Sequence, residues 1–271
     1  MATQLFEGKE HASYYQKYRF SPPQEIKDLI FSFVDERIKK PHGFAVDVGC
    51  GTGQSTIILA PFFEKVLGTD ISAAQIEEAK KAHGLPNVTF SACPAEEVPV
   101  GDASVDLLTA CAAVHWFNIP KFLKEVDRVL KPRGCLAFYS YRPHMEVHYK
   151  DCSEEMSKVF REVEKILAPY QHEKVHHVKT GYEEIFEAIP YTDKKRLEKV
   201  VTKIPMSLAA VMGLIQTFSM YQLFLGAEPE KAQKMVQTTQ EKFLQIMGVT
   251  STDTEVEVWM FNVLVLAAKP Q

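Results

Sequence analysis

The sequence predicts an α/β protein built on a seven-stranded, mostly parallel sheet with helices on both faces. Three observations predict it. Between residues 44 and 141, short apolar runs alternate with stretches of helical spacing. A glycine-rich turn joins the first apolar run directly to a helix. After Tyr141 the rhythm changes, and the chain ends in a long β-patterned stretch, Thr254 to Ala268. Strands alternating with helices give a parallel sheet covered on both sides. Ligands of such sheets bind outside the carboxyl ends of the strands.

The elements follow in order. Residues 1–20 are polar and aromatic, with His11, Tyr14, Tyr15, Tyr18, Arg19 and Phe20. Ser21-Pro22-Pro23 reads as an N-cap with proline in the first turn. Ile26, Leu29, Ile30, Phe33, Val34 and Ile38 then recur at helical spacing, and Pro41 and Gly43 stop that helix. Strand one is Phe44 to Val48. A helix from Gly53 to about Phe63 leads to strand two, Lys65 to Thr69, which ends at Asp70. Ser72 and Gln75 predict a capping box for a helix to about His83. Asn87–Ser91 and Val105–Ala110 are strands three and four. Ile119, Phe122, Leu123, Val126, Val129 and Leu130 mark a further amphipathic helix. Lys131-Pro132-Arg133-Gly134 turns the chain into strand five, Cys135 to Tyr141.

Beyond Tyr141, residues 152–168 read as helix and Leu197 to Ile204 as strand. Ser207 to about Leu225 and Pro229 to about Met247 read as two helices. The last two strands are expected to complete the sheet. The helices at 205–250 then form a lid inserted before the last strand. The expected organisation is one domain over 1–271: an N-terminal cap and helix (1–43), a ligand-binding core (44–141), the rest of the core (142–204), the lid (205–250) and the last strand (251–271).

The glycine turn, Val46-Asp47-Val48-Gly49-Cys50-Gly51-Thr52-Gly53, suits a nucleotide-like ligand. Glycines take positive φ and let a ligand approach the backbone. The following helix start offers unpaired N–H groups. The spacing is G-x-G-x-G, not the G-x-G-x-x-G of a dinucleotide site. Asp47 stands in the strand between two valines, where a carboxylate needs a cationic or polar answer. Both features fit S-adenosylmethionine (SAM), which brings an ammonium and no phosphate, better than a dinucleotide. Asp70 closes strand two about 20 residues beyond the turn, where an acid takes ribose hydroxyls. Ala110-Cys111-Ala112-Ala113 leaves room after strand four and sets His115 and Trp116 to face a ligand. Imidazole titrates near neutrality, so His115 is the expected general base if one is needed.

Bulk properties narrow the class. The 271 residues carry a net charge of −4, with 46% hydrophobic and 24% charged residues. No long basic run supports a nucleic-acid partner. No apolar run is long enough to span a bilayer, and the first residues lack a signal-peptide core. Five dispersed cysteines suggest free thiols in a reducing compartment, so the expected location is the cytoplasm. His144, His148, His172, His176 and His177 have no Cys or acid at ligand spacing, so no metal is expected. A monomer or weak dimer is expected.

The motifs resemble those of class I SAM-dependent methyltransferases. Val46–Gly53 resembles their first motif and Gly68-Thr69-Asp70-Ile71-Ser72 their second. Val105–Thr109 with His115-Trp116-Phe117 resembles the fourth-strand region, and Leu130–Leu136 the turn into strand five. A narrower similarity reaches the trans-aconitate methyltransferase type, through Tyr15-x-x-x-Arg19, His115-Trp116 and Ser219-Met220-Tyr221-Gln222. The resemblance implies a Rossmann-like fold, with Asp47 and Gly49, Cys50, Gly51, Thr52 and Gly53 at the methionine end of SAM. It implies Asp70 on the ribose, Ile71 packed on adenine, Ala95 and Glu96 at the adenine edge, and Ala110 lining the same site. Pro94 stands where the family often has an aspartate. Tyr15, Arg19, His115, Trp116, Arg142 and Tyr221 would surround a small-molecule methyl acceptor. The expected reaction is O-methylation of a carboxylate, leaving S-adenosylhomocysteine. Methylation of another hydroxyl, thiol or amine is the alternative, with a NAD-linked oxidoreductase or a non-catalytic SAM-binding protein from other classes.

Overall fold

A computed structural model describes residues 17–19 and 21–271. Its strands are β1 (His42–Val48), β2 (Phe63–Asp70), β3 (Val88–Ala92), β4 (Val105–Cys111), β5 (Leu130–His148), β6 (Asp193–Ser207) and β7 (Glu255–Ala268). They form one sheet in the order β3-β2-β1-β4-β5-β7-β6. The first five pair in parallel, and β7 runs antiparallel to both β5 and β6. Helices are α1 (Gln24–Asp35), α2 (Gln54–Ile57), α3 (Ala73–Ala82), α4 (Ile119–Val129), α5 (Ser153–Leu167), α6 (His176–Lys179), α7 (Glu183–Ala188), α8 (Leu208–Gln216), α9 (Ser219–Ala227) and α10 (Pro229–Met247).

Burial follows the strand pattern. β4 is buried along all but its last residue, as a central parallel strand must be with both faces covered. One core packs α4 and α7 on one face of the sheet, through Phe122, Val126, Tyr182 and Ile185. A second packs α1 on the other face, through Ile26, Ile30 and Phe33. A third lies at the far end of the long strands, where α5, α8, α9 and α10 enclose Met145, Val147, Val258 and Met260.

Four elements differ from the sequence expectation. The helix after the glycine turn runs only from Gln54 to Ile57, because the N–H groups of Leu59 and Ala60 bond three residues back and Pro61 has none to give. The capping box is half formed. Ser72 Oγ accepts from Gln75 N, but the Ser72 N–H goes to Asp70 Oδ1, and Gln75 Oε1 is buried without a partner. Strand β5 continues past Tyr141 to His148, across an irregularity at 142–144 that hides its alternation. Finally, the single helix expected over 207–225 is two, α8 and α9, bent by 71°. Thr217 Oγ1 folds back onto the Leu214 carbonyl at 2.6 Å and Phe218 is extended at ψ 138, which breaks the helix. No single helix among the described residues is long and apolar enough to cross a membrane.

Candidate active site

Positive φ at Gly49 (69), Gly51 (55) and Gly53 (91) shapes the turn after β1. At Gly49 the need is steric as well. A Cβ there would lie 2.5 Å from Ala113 Cβ and 3.0 Å from Phe117 Cζ, so the turn is pressed against the segment that follows β4. Asp47 is fully buried beneath the turn. Its Oδ2 accepts from Ser55 Oγ (2.7 Å) and Thr56 Oγ1 (2.8 Å), and its Oδ1 from Thr109 Oγ1 (2.7 Å). Burial raises its carboxyl pKa, and the three hydroxyls oppose that rise. This corrects the expectation for Asp47. Three hydroxyls answer the carboxylate, and it ties β1, α2 and β4 together instead of opening onto a ligand. Thr52 is likewise fully buried, its hydroxyl on Gln54 Oε1 at 2.8 Å. Cys50 is buried, and burial pushes its thiol well above the ordinary value, so it is no nucleophile.

Asp70 ends β2 facing the turn. Its Oδ2 accepts from Gly51 N at 2.9 Å and its Oδ1 from Ser72 N at 2.8 Å. Burial raises its pKa, and the backbone N–H groups of Ser72, Gly51 and Ile71 oppose the rise. A carboxylate has about four acceptor positions, so two bonds leave room for ribose hydroxyls. The next residue, Ile71, is 57% exposed. Glu96 Oε1 accepts from Asn118 N at 2.7 Å, and Ala95 is buried in the core. Ala110 is corrected: it is wholly buried inside the sheet core, and Ala112, two residues on at φ 49, reaches the cleft instead. The turn, the acid and the exposed isoleucine together fit a nucleoside-bearing ligand.

Beside them opens a cleft of about 90 Å³ lined by Arg19, Ala112, His115, Trp116, Tyr141 and Phe218, with Ser140, Pro143, Val175, Val178, Ser219 and Met220 completing it. Arg19 donates from Nη2 to the Thr217 carbonyl at 3.3 Å, and its guanidinium lies over the rings of Tyr141 (5.3 Å) and Phe218 (5.7 Å). His115 is buried, with Nδ1 2.9 Å from the Tyr182 hydroxyl. Burial, with His177, Lys174 and His172 nearby, lowers its pKa to about 3. Burial thus favours the neutral ring. Trp116 packs at 5.0 Å from the His115 ring and 5.2 Å from that of His172, and its carbonyl accepts from Lys174 Nζ.

Arg19, His115 and Trp116 are thus brought together in one cleft. Arg142 and Tyr221 are not. Arg142 donates to the Lys179 carbonyl and pairs with Glu198 at 3.1 Å, away from the cleft lining. Tyr221 is buried within the core of the inserted helices. Tyr15 lies outside the described residues. Tyr141, Phe218 and the 172–178 segment carried no motif. Only the aromatic character of Tyr141 and Phe218 could have singled them out.

A glycine turn and a strand-end acid on a 3-2-1-4-5-7-6 sheet define the class I nucleoside-cofactor architecture. Comparison with known proteins places the chain within it. Residues 46–138 match the family described as a methyltransferase domain. A Dictyostelium discoideum protein described as a methyltransferase is 28% identical over 244 residues, 90% of this chain and 89% of that one. The trans-aconitate 2-methyltransferase of Deinococcus radiodurans is 36% identical over 122 residues, 44% of this chain and 43% of that enzyme. A solved structure described as a type II methyltransferase from Anaeromyxobacter dehalogenans superposes with a TM-score of 0.73 at 26% identity, covering 94% of this chain and 100% of that one. Residues 46–138 thus match a methyltransferase domain, and these likenesses support a SAM-dependent methyltransferase with SAM as cofactor and S-adenosylhomocysteine as product.

Proposed function

We propose that the enzyme methylates a small molecule on a carboxylate oxygen. The observation that carries this is the charge of the cleft. Among the described residues lining it, Arg19 brings the only side-chain charge, and no carboxylate faces it. Lys174 stands behind His115 and adds to the positive field. An anionic acceptor fits such a lining, and a guanidinium is the group that orients a carboxylate by paired hydrogen bonds. Trp116, Tyr141 and Phe218 then supply apolar walls for the rest of the molecule.

Bound SAM supplies an electrophilic methyl group, and the chain's contribution is alignment. The turn at Gly49–Gly53 and Asp70 hold the donor, with Ile71, Ala95 and Glu96 about its adenine. Pro94 offers no polar side chain there. Arg19 holds the acceptor. A carboxylate nucleophile is already ionised at neutral pH and needs no base. The inserted helices exclude water from the cleft. In this reading residues 1–271 act as one domain, a cytoplasmic monomer or weak dimer whose partner is a free metabolite, not a nucleic acid or a membrane. The Deinococcus enzyme bears a name for methylation of an acid, which supports the reading in the shared 122 residues.

Methyl-labelled SAM and a panel of small mono-, di- and tricarboxylic acids test it. The expected label is released by mild base, as an ester is. Transfer only to products that survive base, as ethers, thioethers and methylamines do, would refute it.

A further inference from the structure

Helix α3 is tied to the glycine turn at both of its ends. At its start, the Ser72 N–H bonds Asp70 Oδ1 at 2.8 Å, while Asp70 Oδ2 accepts from Gly51 N at 2.9 Å. Along its length, Ile76 and Ala79 pack on Cys50 of the turn, in a small core shared with Phe90 of β3. At its end stands His83, extended at φ −133 and ψ 111, with its backbone N–H on the Ala79 carbonyl. The His83 ring returns to the turn from 31 residues away, and its Nε2 lies 3.1 Å from the Thr52 carbonyl. The ring also crowds Gly53. A Cβ there would lie 2.9 Å from His83 Cδ2 and 2.9 Å from Phe90 Cζ.

The contact has one direction. A carbonyl oxygen can only accept, so the hydrogen is on His83 Nε2. The Thr52 carbonyl and the Gly53 N–H belong to one planar peptide and point opposite ways. The Gly53 N–H goes to the Cys50 carbonyl at 3.0 Å. With both of its groups bonded, the 52–53 peptide plane is fixed. The 50–51 plane is fixed likewise, through the Gly51 N–H on Asp70 and the Cys50 carbonyl under Gly53 N. Glycines at 51 and 53 give this stretch rotational freedom, and these bonds remove it. At Thr52 the restraint comes from His83.

We propose that His83 is a positioning residue for the cofactor: its Nε2–H holds the Thr52–Gly53 peptide in the orientation that receives the methionine end of SAM. Helix α3 then fixes Asp70 with its first turn and the glycine turn with its last residue. The proposal rests on the reading of Gly49–Gly53 as the seat of the methionine end. His83 acts through the Thr52 carbonyl, not on the reacting atoms.

Calorimetric titration of the full chain with two ligands tests it. S-adenosylhomocysteine carries the amino-acid end; methylthioadenosine has the same nucleoside and sulfur and lacks that end. His83→Phe keeps a ring beside Gly53 and Phe90 but has no N–H to give. It should weaken S-adenosylhomocysteine binding by about three- to tenfold, the worth of one hydrogen bond, and leave methylthioadenosine within about twofold. His83→Gln carries an amide N–H at similar reach and should bring S-adenosylhomocysteine back to within about twofold of the wild type. A merely structural role would weaken both ligands together. Equal losses for the two ligands, an unchanged affinity in His83→Phe, or no recovery in His83→Gln overturns the proposal. Should His83→Phe not fold, His83→Leu makes the same comparison with His83→Gln. Equal binding of the two ligands by the wild type would overturn the placement of the methionine end itself, and the role of His83 falls with it.

Discussion

Gly49→Ala should cost the fold more than any other single methyl group added to the cofactor turn. Two penalties combine. At φ 69 an L-residue sits in the left-handed region, which costs about 1–2 kcal/mol. The new Cβ would also stand 2.5 Å from Ala113 Cβ, whereas carbons rest at about 3.5–4.0 Å. Something must move by roughly 1 Å, and overpacking of this kind costs about 1–3 kcal/mol. The sum is about 2–5 kcal/mol, a large part of a typical domain's stability.

Ala113 and Phe117 flank His115 and Trp116, so the displaced segment belongs to the cleft. The substitution should therefore weaken SAM binding and acceptor binding together. Urea denaturation measures the stability term, and calorimetric titration with SAM measures the binding term. A second variant separates the two penalties. Adding Ala113→Gly removes the 2.5 Å contact and leaves the φ penalty and the 3.0 Å approach to Phe117, so it should restore part of the loss. A loss below about 1 kcal/mol in Gly49→Ala, or no recovery in the double variant, would refute the reasoning.

Three further outcomes are expected. Asp47→Asn replaces one acceptor oxygen by an amide donor that faces hydroxyl donors, and should cost about 1–3 kcal/mol in urea denaturation; unchanged stability would mean the hydroxyls do not hold the turn. Arg19→Ala should raise KM for a carboxylate acceptor by about 10–100-fold, as loss of a charged hydrogen bond does, while Arg142→Ala leaves KM within about threefold; the reverse ranking in steady-state kinetics would restore the sequence expectation for Arg142. For pH, His115 has a folded value of about 3 against 6.5 unfolded. Below 6.5 the unfolded chain takes up a proton that the native ring refuses, so this term is absent above 6.5 and removes stability as pH falls toward 3. Its slope is at most about 1.4 kcal/mol per pH unit, and denaturation of His115→Gln across pH 7 to 4 should show a flatter fall.

The parts of the site legible in the sequence are those set by neighbours in the chain. The turn from Gly49 to Gly53 needs three positive φ angles within five residues, and only glycine meets that need cheaply. Asp70 is fixed by the length of one helix and one strand. Legibility ends where a contact crosses the sheet. Asp47 was identified as a buried acid, but its partners Ser55, Thr56 and Thr109 come from two elements, and nothing in a hydroxyl's sequence position says where it points. Arg19 and Arg142 look alike as cations near aromatic residues. Glu198 on β6 draws Arg142 away, and that pairing exists only once β6 and the irregular part of β5 are neighbours through β7. The break at Thr217 and Phe218 carries no proline or glycine to announce it.

That break explains why the acceptor side of the cleft resists reading. A straight helix from Leu208 onward would carry Phe218, Ser219 and Met220 past the cleft. Bent by 71°, the pair sets these three residues in its wall and leaves the Thr217 carbonyl open to the Arg19 guanidinium. One turn before the break, Gly213 receives the ring of Tyr18 so closely that a Cβ there would lie 2.3 Å from it. Residues 18 and 19 are thus registered against the inserted helices as well as against Tyr141 of β5. The donor site is built by a contiguous quarter of the chain and is insensitive to this registration. The acceptor site joins the N-terminal residues, the end of β4, the irregular strand β5 and the bent pair. On the proposed reading, substitutions in the bent pair would shift Arg19 and change the acceptor while leaving Asp70 and the glycine turn in place for the donor.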